Sequence, residues 1–311
     1  MGLRESPKLV GDVLAPTDHY AWARYSHGDT WLGRFTVEEK GRVRVATLNL
    51  WGQNGAWEER RSVLVEGLSG LQPDLIAFQE AIVGDGYDQV EDVLGPGYHV
   101  VHQNVGLVGD GNHGASIASR WPTGEVSEAN LHLTPRTGDY PCGTLIAEVL
   151  APDSLGTLLF VCHGPSHQLS YEYERELQAV AAARMVEELA ERVGAHHVVV
   201  GGDFNADRDA NSVAFWRGER SLEGMSVCYW DAWERARPGE AGHTFTPRNP
   251  LVSENKPAPG RDRRMDYLLV RCEDSLYGPT LEVSSCEIVF DKPVEGVWGS
   301  DHFGVVADLS A

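Results

Sequence analysis

The stretch His197-Val198-Val199-Val200-Gly201-Gly202-Asp203-Phe204-Asn205-Ala206 constrains this chain more than any other. Its charge-free valine run reads as a strand buried on both faces. Two glycines are then expected to end the strand in a tight turn, with Asp203 and Asn205 following at alternate positions. Residues two apart in extended backbone point the same way, so a carboxylate and an amide oxygen would face one space just past a strand end. Such strand ends are where function usually sits in α/β proteins. The decapeptide alone also reads as an Asx turn closing a core strand.

The wider chain supports a large core. With 311 residues, 42% of them hydrophobic, and neither an internal repeat nor a long low-complexity tract, one catalytic domain over residues 43–311 is expected. Residues 1–42 read as an extension whose aromatics, Tyr20, Trp22, Tyr25, Trp31 and Phe35, pack on that domain. Met1 to Pro7 lead into no apolar segment of signal-peptide type, and no run is long enough to cross a bilayer. The expected location is the cytoplasm, although a mature secreted form would read the same. The net charge of −20 opposes long-range attraction to nucleic acid or anionic lipid. It does not forbid a phosphate substrate, because a carboxylate-lined site that binds a divalent ion reverses its own local sign. Five widely spaced cysteines form no metal knuckle or disulfide framework and read as free thiols.

Alternating and helical patterns place polar residues at the ends of apolar strands. Val43 to Trp51 alternates as a strand that delivers Asn49. Val63, Leu64, Leu68 and Leu71 fall at helical spacing before Pro73, and the strand Leu75 to Phe78 then presents Glu80, a βαβ-like opening. Short strands follow at Tyr98–Val101 and Ala115–Ala118. Thr144–Val149 and Leu158–Cys162 form a hairpin-type pair that ends at His163. Tyr171 to Val193 is the clearest helix, with Tyr173, Leu177, Val180 and Ala181 as its apolar stripe, and Ser212 is expected to cap a short helix through Trp216. A polar loop from Gly242 to Arg263 precedes the strand Met265–Val270, and Asp301-His302 leads into the strand Val305–Leu309.

Asn49, Glu80, His163, Asp203, Asn205, Asp301 and His302 therefore stand at strand ends, with Asp266 inside a strand. Oxygen donors without thiolates suit Mg²⁺, for which Glu80 with Asp301 or Asp203 would suffice. A buried Asp266 is costly unless a donor meets it, and His302 needs its second ring nitrogen held to fix its tautomer. Each would answer the other.

Thr-Leu-Asn49-Leu-Trp, the Gln-Glu80 strand end, Ser-Arg120-Trp-Pro, His163, Gly-Asp203-Phe-Asn205-Ala, Arg-Met-Asp266-Tyr and Gly-Ser-Asp301-His302 together resemble the ordered motifs of the endonuclease/exonuclease/phosphatase superfamily over residues 43 to 309. The resemblance implies a four-layer α/β sandwich of two mixed β-sheets flanked by helices. It implies Mg²⁺-dependent hydrolysis of a phosphate ester, with Mn²⁺ as a substitute, by in-line attack of an activated water. Glu80 would be the main metal ligand, with Asn49 and Asp301 near the metal. Asp203 and Asn205 would position water and phosphate, His302 held by Asp266 would contact the phosphate or act as base, and His163 would bind phosphate or assist the leaving group. Either Asp203 or His302 could take the proton from water.

The substrate is less constrained. Arg120 could meet phosphate or form a surface ion pair, and Arg261, Arg263 and Arg264 make the one dense basic run, a phosphate-binding or solvated loop. His27, His113 and His167 read as surface or rim residues. No basic segment interleaved with aromatics points to duplex DNA. The expected substrate is a small or lipid-linked phosphate ester, with a nuclease as the alternative and a catalytically silent binding protein as a third reading. The sequence assigns no oligomeric state.

Overall fold

The computed structural model describes residues 41–109, 112–254, 260–274 and 276–311; the N-terminal aromatic cluster lies outside the described residues. Gly41–Ala311 forms one compact unit. The chain enters as β1 (Arg42–Asn49), α1 (Trp57–Leu71), β2 (Leu75–Gly84), β3 (Tyr87–Asp88), α2 (Gln89–Leu94), β4 (His99–His102) and β5 (His113–Ser119). It continues through β6 (Thr123–Asn130), β7 (Gly143–Leu150), β8 (Thr157–Gly164), α3 (Glu172–Val193), β9 (His197–Asp203), α4 (Asn211–Trp216), β10 (Tyr229–Asp231) and α5 (Ala232–Ala236). It closes with α6 (Leu251–Glu254), β11 (Asp266–Glu273), β12 (Gly278–Pro279), β13 (Glu282–Val289) and β14 (Gly304–Ser310).

These strands make two sheets, in the orders β13-β14-β1-β2-β5-β4 and β10-β11-β9-β8-β7-β6. Both are mixed: β1 and β2 pair in parallel, as do β8 and β9, and their other main neighbours are antiparallel. The valine run shows how the layers stack. Val199 joins the apolar core between the sheets with Ala77, Phe160 and Leu268. Val198 and Val200 face the other way, against Ala183 and Val186 of α3. On the far side Leu48 and Phe78 of the first sheet meet Leu64 and Leu68 of α1. Helix, sheet, sheet and helix follow in order, the four-layer sandwich that the motifs implied.

Three local expectations change. Gly201 and Gly202 form no turn; both lie inside β9, paired with Leu268 and Tyr267 of β11. Their smallness is needed for close approach. A Cβ on Gly202 would lie 2.0 Å from the His163 carbonyl oxygen, and one on Gly201 would meet Leu268 of the neighbouring strand at 3.1 Å and Ala77 of the other sheet at 3.3 Å. Ser212 is not the cap of α4, since Ala210 holds that position and the Ser212 backbone N–H donates to Glu172 Oε1 at 2.8 Å. The buried face of α3 is also rotated from the expected stripe. Tyr173 is exposed, while Arg175 and Gln178 are buried with Ala179, Ala182 and Val186. Arg175 and Gln178 hold the segment after β8 through Ser166 and Gln168, and Gln178 also donates to the carbonyl of Leu131, just past β6, so this helix buries polar side chains where it supports loops and small apolar ones where it meets the sheet.

Because the clash at Gly202 is with backbone, it cannot be relieved by a rotamer change. Gly202→Ala is expected to lower unfolding free energy by about 1–3 kcal/mol, read from the midpoint of chemical denaturation. Gly201→Ala, whose new contacts are with side chains, should cost less. Equal stability of Gly202→Ala and wild type would sink this account.

Candidate active site

The strand ends converge. Asp203 closes β9 and Asp266 opens β11, and the antiparallel register sets these two residues directly opposite each other. Two buried carboxylates at facing positions repel unless a cation joins them. His302, in the loop before β14, supplies it. Its Nδ1 bonds Asp266 Oδ2 at 3.0 Å, and its Nε2 lies 3.7 Å from Asp203 Oδ2. Burial alone would lower the imidazole pKa, but the facing charges of Asp266 and Asp203 raise it to about 10. Burial pushes Asp203 up to about 7 in spite of the neighbouring imidazolium. The anomaly of a carboxylate inside a strand is thus resolved by His302. Phe245 packs against its ring at a centroid distance of 4.8 Å.

Asn49 ties this group to Glu80. Its Nδ2 donates to Glu80 Oε1 and to Asp203 Oδ2, each at 3.2 Å, while its Oδ1 accepts the Trp51 backbone N–H at 2.9 Å. That backbone donor fixes which end of the amide is oxygen. Asn49 thereby holds two carboxylates at a set spacing. Ser300 locks the adjoining loop by donating to the Asn49 carbonyl at 2.7 Å, which brings Asp301 to the same end of the sheet. Asn205 combines the two readings of its decapeptide. Its backbone N–H donates to Asp203 Oδ1 at 2.9 Å, an Asx turn, and its side chain, anchored on the Pro165 carbonyl at 3.1 Å, lines the cleft.

Backbone strain marks the same places. Trp51, Glu80 and Asn205 have φ of +57°, +55° and +53°. Non-glycine residues in this region cost about 1–3 kcal/mol each and persist where surroundings hold them. Glu80 lies where the β2–β5 register shifts between Phe78 and Ala81, so a bulge turns it out of the ladder.

The cleft above these residues has a volume of about 1830 Å³. Glu80 shares its wall with Tyr140 and His113, neither of which the sequence reading had assigned to the chemistry. His113 Nε2 lies 3.8 Å from Glu80 Oε2. Tyr140 is edge-on to the rings of His113 and His167, and burial together with the Glu80 carboxylate raises its hydroxyl pKa far above the ordinary value. No motif or period signals Tyr140, which stands before Pro141 in an irregular segment; only the tertiary packing reveals it.

Two expected residues are not brought to the cleft. Side chains alternate along β8, so Phe160 and Cys162 face the core between the sheets while Val161 and His163 face the helical layer. The His163 ring is edge-on to Phe204 and Trp216 and bonds Thr144 Oγ1 through Nδ1 at 2.8 Å. Burial pushes its pKa down to about 3, which keeps it neutral. Arg120 lies by the opposite end of β2 from Glu80, where it donates to the Pro73 carbonyl at 3.1 Å and pairs with Asp74 at 3.8 Å. Of the basic run, Arg261 and Arg263 line the cleft, whereas Arg264 turns to Asp231 at 2.9 Å.

Comparison with known proteins agrees with this architecture. No curated protein sequence matches the chain. Among solved structures, TDP2 from D. rerio complexed with single strand DNA product is 17% identical, covers 87% of this chain and 99% of its own, and superposes with a TM-score of 0.63. The human Nocturnin catalytic domain with bound sulfate anion is 18% identical, with 87% and 97% covered and a TM-score of 0.64. An endonuclease/exonuclease/phosphatase protein from Bacteroides thetaiotaomicron is 20% identical, with 88% and 98% covered and a TM-score of 0.65. These similarities establish a common fold. The sequence profile of the Endonuclease/Exonuclease/phosphatase family matches residues 46–302, and the chain belongs to that family.

Proposed function

We propose that the protein is a divalent-metal-assisted phosphodiesterase. The observation that carries this reading is the linked set Glu80–Asn49–Asp203–His302–Asp266, an unbroken path of polar contacts across strand ends from both sheets. Its two ends differ in chemistry. At one end Glu80, Asp203 and Asp301 together act on Tyr140 with negative charge. Hard carboxylate oxygens gathered in this way fit Mg²⁺, or Mn²⁺ in its place, with Glu80 and Asp301 as the holding groups and Asn49 orienting Glu80. Such an ion supplies Lewis-acid stabilisation of charge on the phosphoryl oxygens.

At the other end Asp203, Asp266 and His302 present atoms within 4.8 Å of one another, a spacing that a metal could also use. We read this cluster as a proton-bearing group instead, because the facing charges of Asp266 and Asp203 favour the imidazolium and Nδ1 is committed to Asp266. His302 then presents Nε2–H to a phosphate oxygen and neutralises charge as it develops. Asp203, with its pKa pushed to about 7 by burial, is the group suited to take the proton of the attacking water near neutral pH. Asn205 fixes that water and the phosphate beside it. His163 has no part in this scheme.

The single strand DNA product in the TDP2 structure supports a nucleic-acid strand as the class of substrate. The acidic surface disfavours an extended duplex.

Purified protein is expected to hydrolyse bis-p-nitrophenyl phosphate in Mg²⁺ or Mn²⁺ and to stop on chelation. Glu80→Ala and His302→Ala should each lose at least about 100-fold in kcat. Metal-supported hydrolysis that survives Glu80→Ala at wild-type rate would overturn the proposal.

The His302 pair also has a pH signature in metal-free protein. Asp266→Asn should move the His302 pKa from about 10 towards its ordinary 6.5, followed by NMR of the ring nitrogens. Since the folded value is raised, the pair's contribution to stability is complete below about pH 6.5 and is lost as pH rises through about 10. Denaturation curves of wild type and Asp266→Asn should therefore converge at alkaline pH. A His302 pKa unmoved by the substitution would refute the role given to Asp266.

A further inference from the structure

The two cysteines that reach solvent are the two that face each other. Cys142, Cys162 and Cys286 are buried, whereas Cys228 is exposed and Cys272 half-buried. Tyr229 pairs with Arg271 and Trp230 with Val270 in the antiparallel ladder of β10 and β11, so the register continued by one step sets Cys228 opposite Cys272. The backbone agrees, since the Cys272 N–H donates to the Cys228 carbonyl at 2.9 Å. β10 is the edge strand of its sheet.

Alternation brings both thiols to one side. Leu268 and Val270 of β11 enter the core between the sheets, and Cys272 continues their row. Tyr229 turns to the helical layer, which sends Cys228 to the same side as Cys272. The two thiols lie within hydrogen-bonding reach of each other, and burial together with the Cys228 thiol raises the Cys272 pKa far above its ordinary value. A second contact of the Cys272 thiol, with the Val270 carbonyl, is long at 4.0 Å.

This geometry suits a covalent link. Opposed residues that share a backbone hydrogen bond have Cα atoms about 5.5 Å apart, inside the roughly 4.4–6.8 Å that disulfides span. The bond needs no shift of strand register. Spacing along the chain gives no sign of it, because only the β10–β11 pairing brings Cys228 and Cys272 together.

We propose that Cys228 and Cys272 are a redox-modified pair, which a low-molecular-weight disulfide oxidises to an intramolecular bond that staples β10 to β11. Exposure sets the order of events. Cys228 gives its proton to solvent and its thiolate attacks one sulfur of the small disulfide; that S–S bond breaks and one small thiol leaves, taking up a proton. Cys272 then loses its proton, attacks the Cys228 sulfur and expels the second small thiol. Contact between the two side chains makes this step intramolecular, which offsets the scarcity of the Cys272 thiolate. The protein sulfurs lose two electrons and the small disulfide gains them. Asp266 opens β11, whereas Cys272 stands roughly 20 Å along it, so the bond forms away from the cleft and is independent of the phosphodiesterase reading.

Incubation of the intact protein with glutathione disulfide under native conditions tests the pair. Peptide mass spectrometry is expected to find Cys228 joined to Cys272, with Cys142, Cys162 and Cys286 still reduced. Closing a ring of roughly 45 residues should raise the thermal denaturation midpoint by at least about 5 °C, a gain that dithiothreitol reverses. Cys272→Ser should stop at one glutathione on Cys228, and Cys228→Ser should react at least about tenfold more slowly than wild type. Wild type that keeps every thiol, or that carries glutathione on Cys228 without the cross-link, overturns the proposal. Equal reactivity of Cys228→Ser and wild type does the same. A cross-link that leaves the midpoint unmoved overturns the staple.

Discussion

The hydrogen bond between His302 and Asp266 is the constraint on which the site depends. The β9–β11 register opposes Asp203 to Asp266, and without a cation between them the two buried carboxylates would push those strand ends apart. The imidazolium removes that repulsion and acquires a fixed tautomer in return. Because the ring arrives from the loop before β14, a strand of the other sheet, the same contact ties the two sheets together at the open end of the sandwich. The fold and the chemistry share this interaction. Substitutions at Asp266 should therefore never be read as purely catalytic or purely structural.

Much of this was legible in the sequence because apolar strands with polar ends follow simple rules. Asn49, Asp203 and Asp266 each stand at a strand boundary and Glu80 at the bulge inside β2, and their convergence follows from stacking two sheets with those places aligned. What failed was face assignment. His163 lies at the end of β8, as expected, but alternation along that strand sends it to the helical layer, where Thr144, Phe204 and Trp216 enclose it. A motif identifies a position, whereas strand parity decides which side of the sheet it serves. The parity of β8 could have been counted from the apolar run Leu158 to Cys162, but both of its faces are buried, so hydrophobicity did not distinguish them.

The glycines of β9 failed for a related reason. Gly201-Gly202 before an Asp reads as a turn in any local scheme. In the fold these residues are small because Leu268, Ala77 and the His163 backbone approach them from neighbouring strands and from the other sheet. Sequence-local rules price a glycine by its own backbone, and here its absent side chain is what the neighbours require. The α3 face was misjudged likewise: Arg175 and Gln178 are buried for the loop they hold, which no hydrophobic stripe records.

Net charge is a weaker guide to substrate than the placement of a few charges. The value of −20 describes the far field, which steers an approaching molecule. Inside the cleft the relevant distances are a few ångströms, and there Arg261 and Arg263 meet Asp207 at 2.7 and 3.0 Å while Asp266 and Asp203 face His302 at 3.0 and 3.7 Å. The expectation of a small or lipid-linked ester, drawn from the acidic surface and the missing nucleic-acid patch, speaks to that far field, and the field that disfavours a duplex is not the field that a strand end meets inside a cleft.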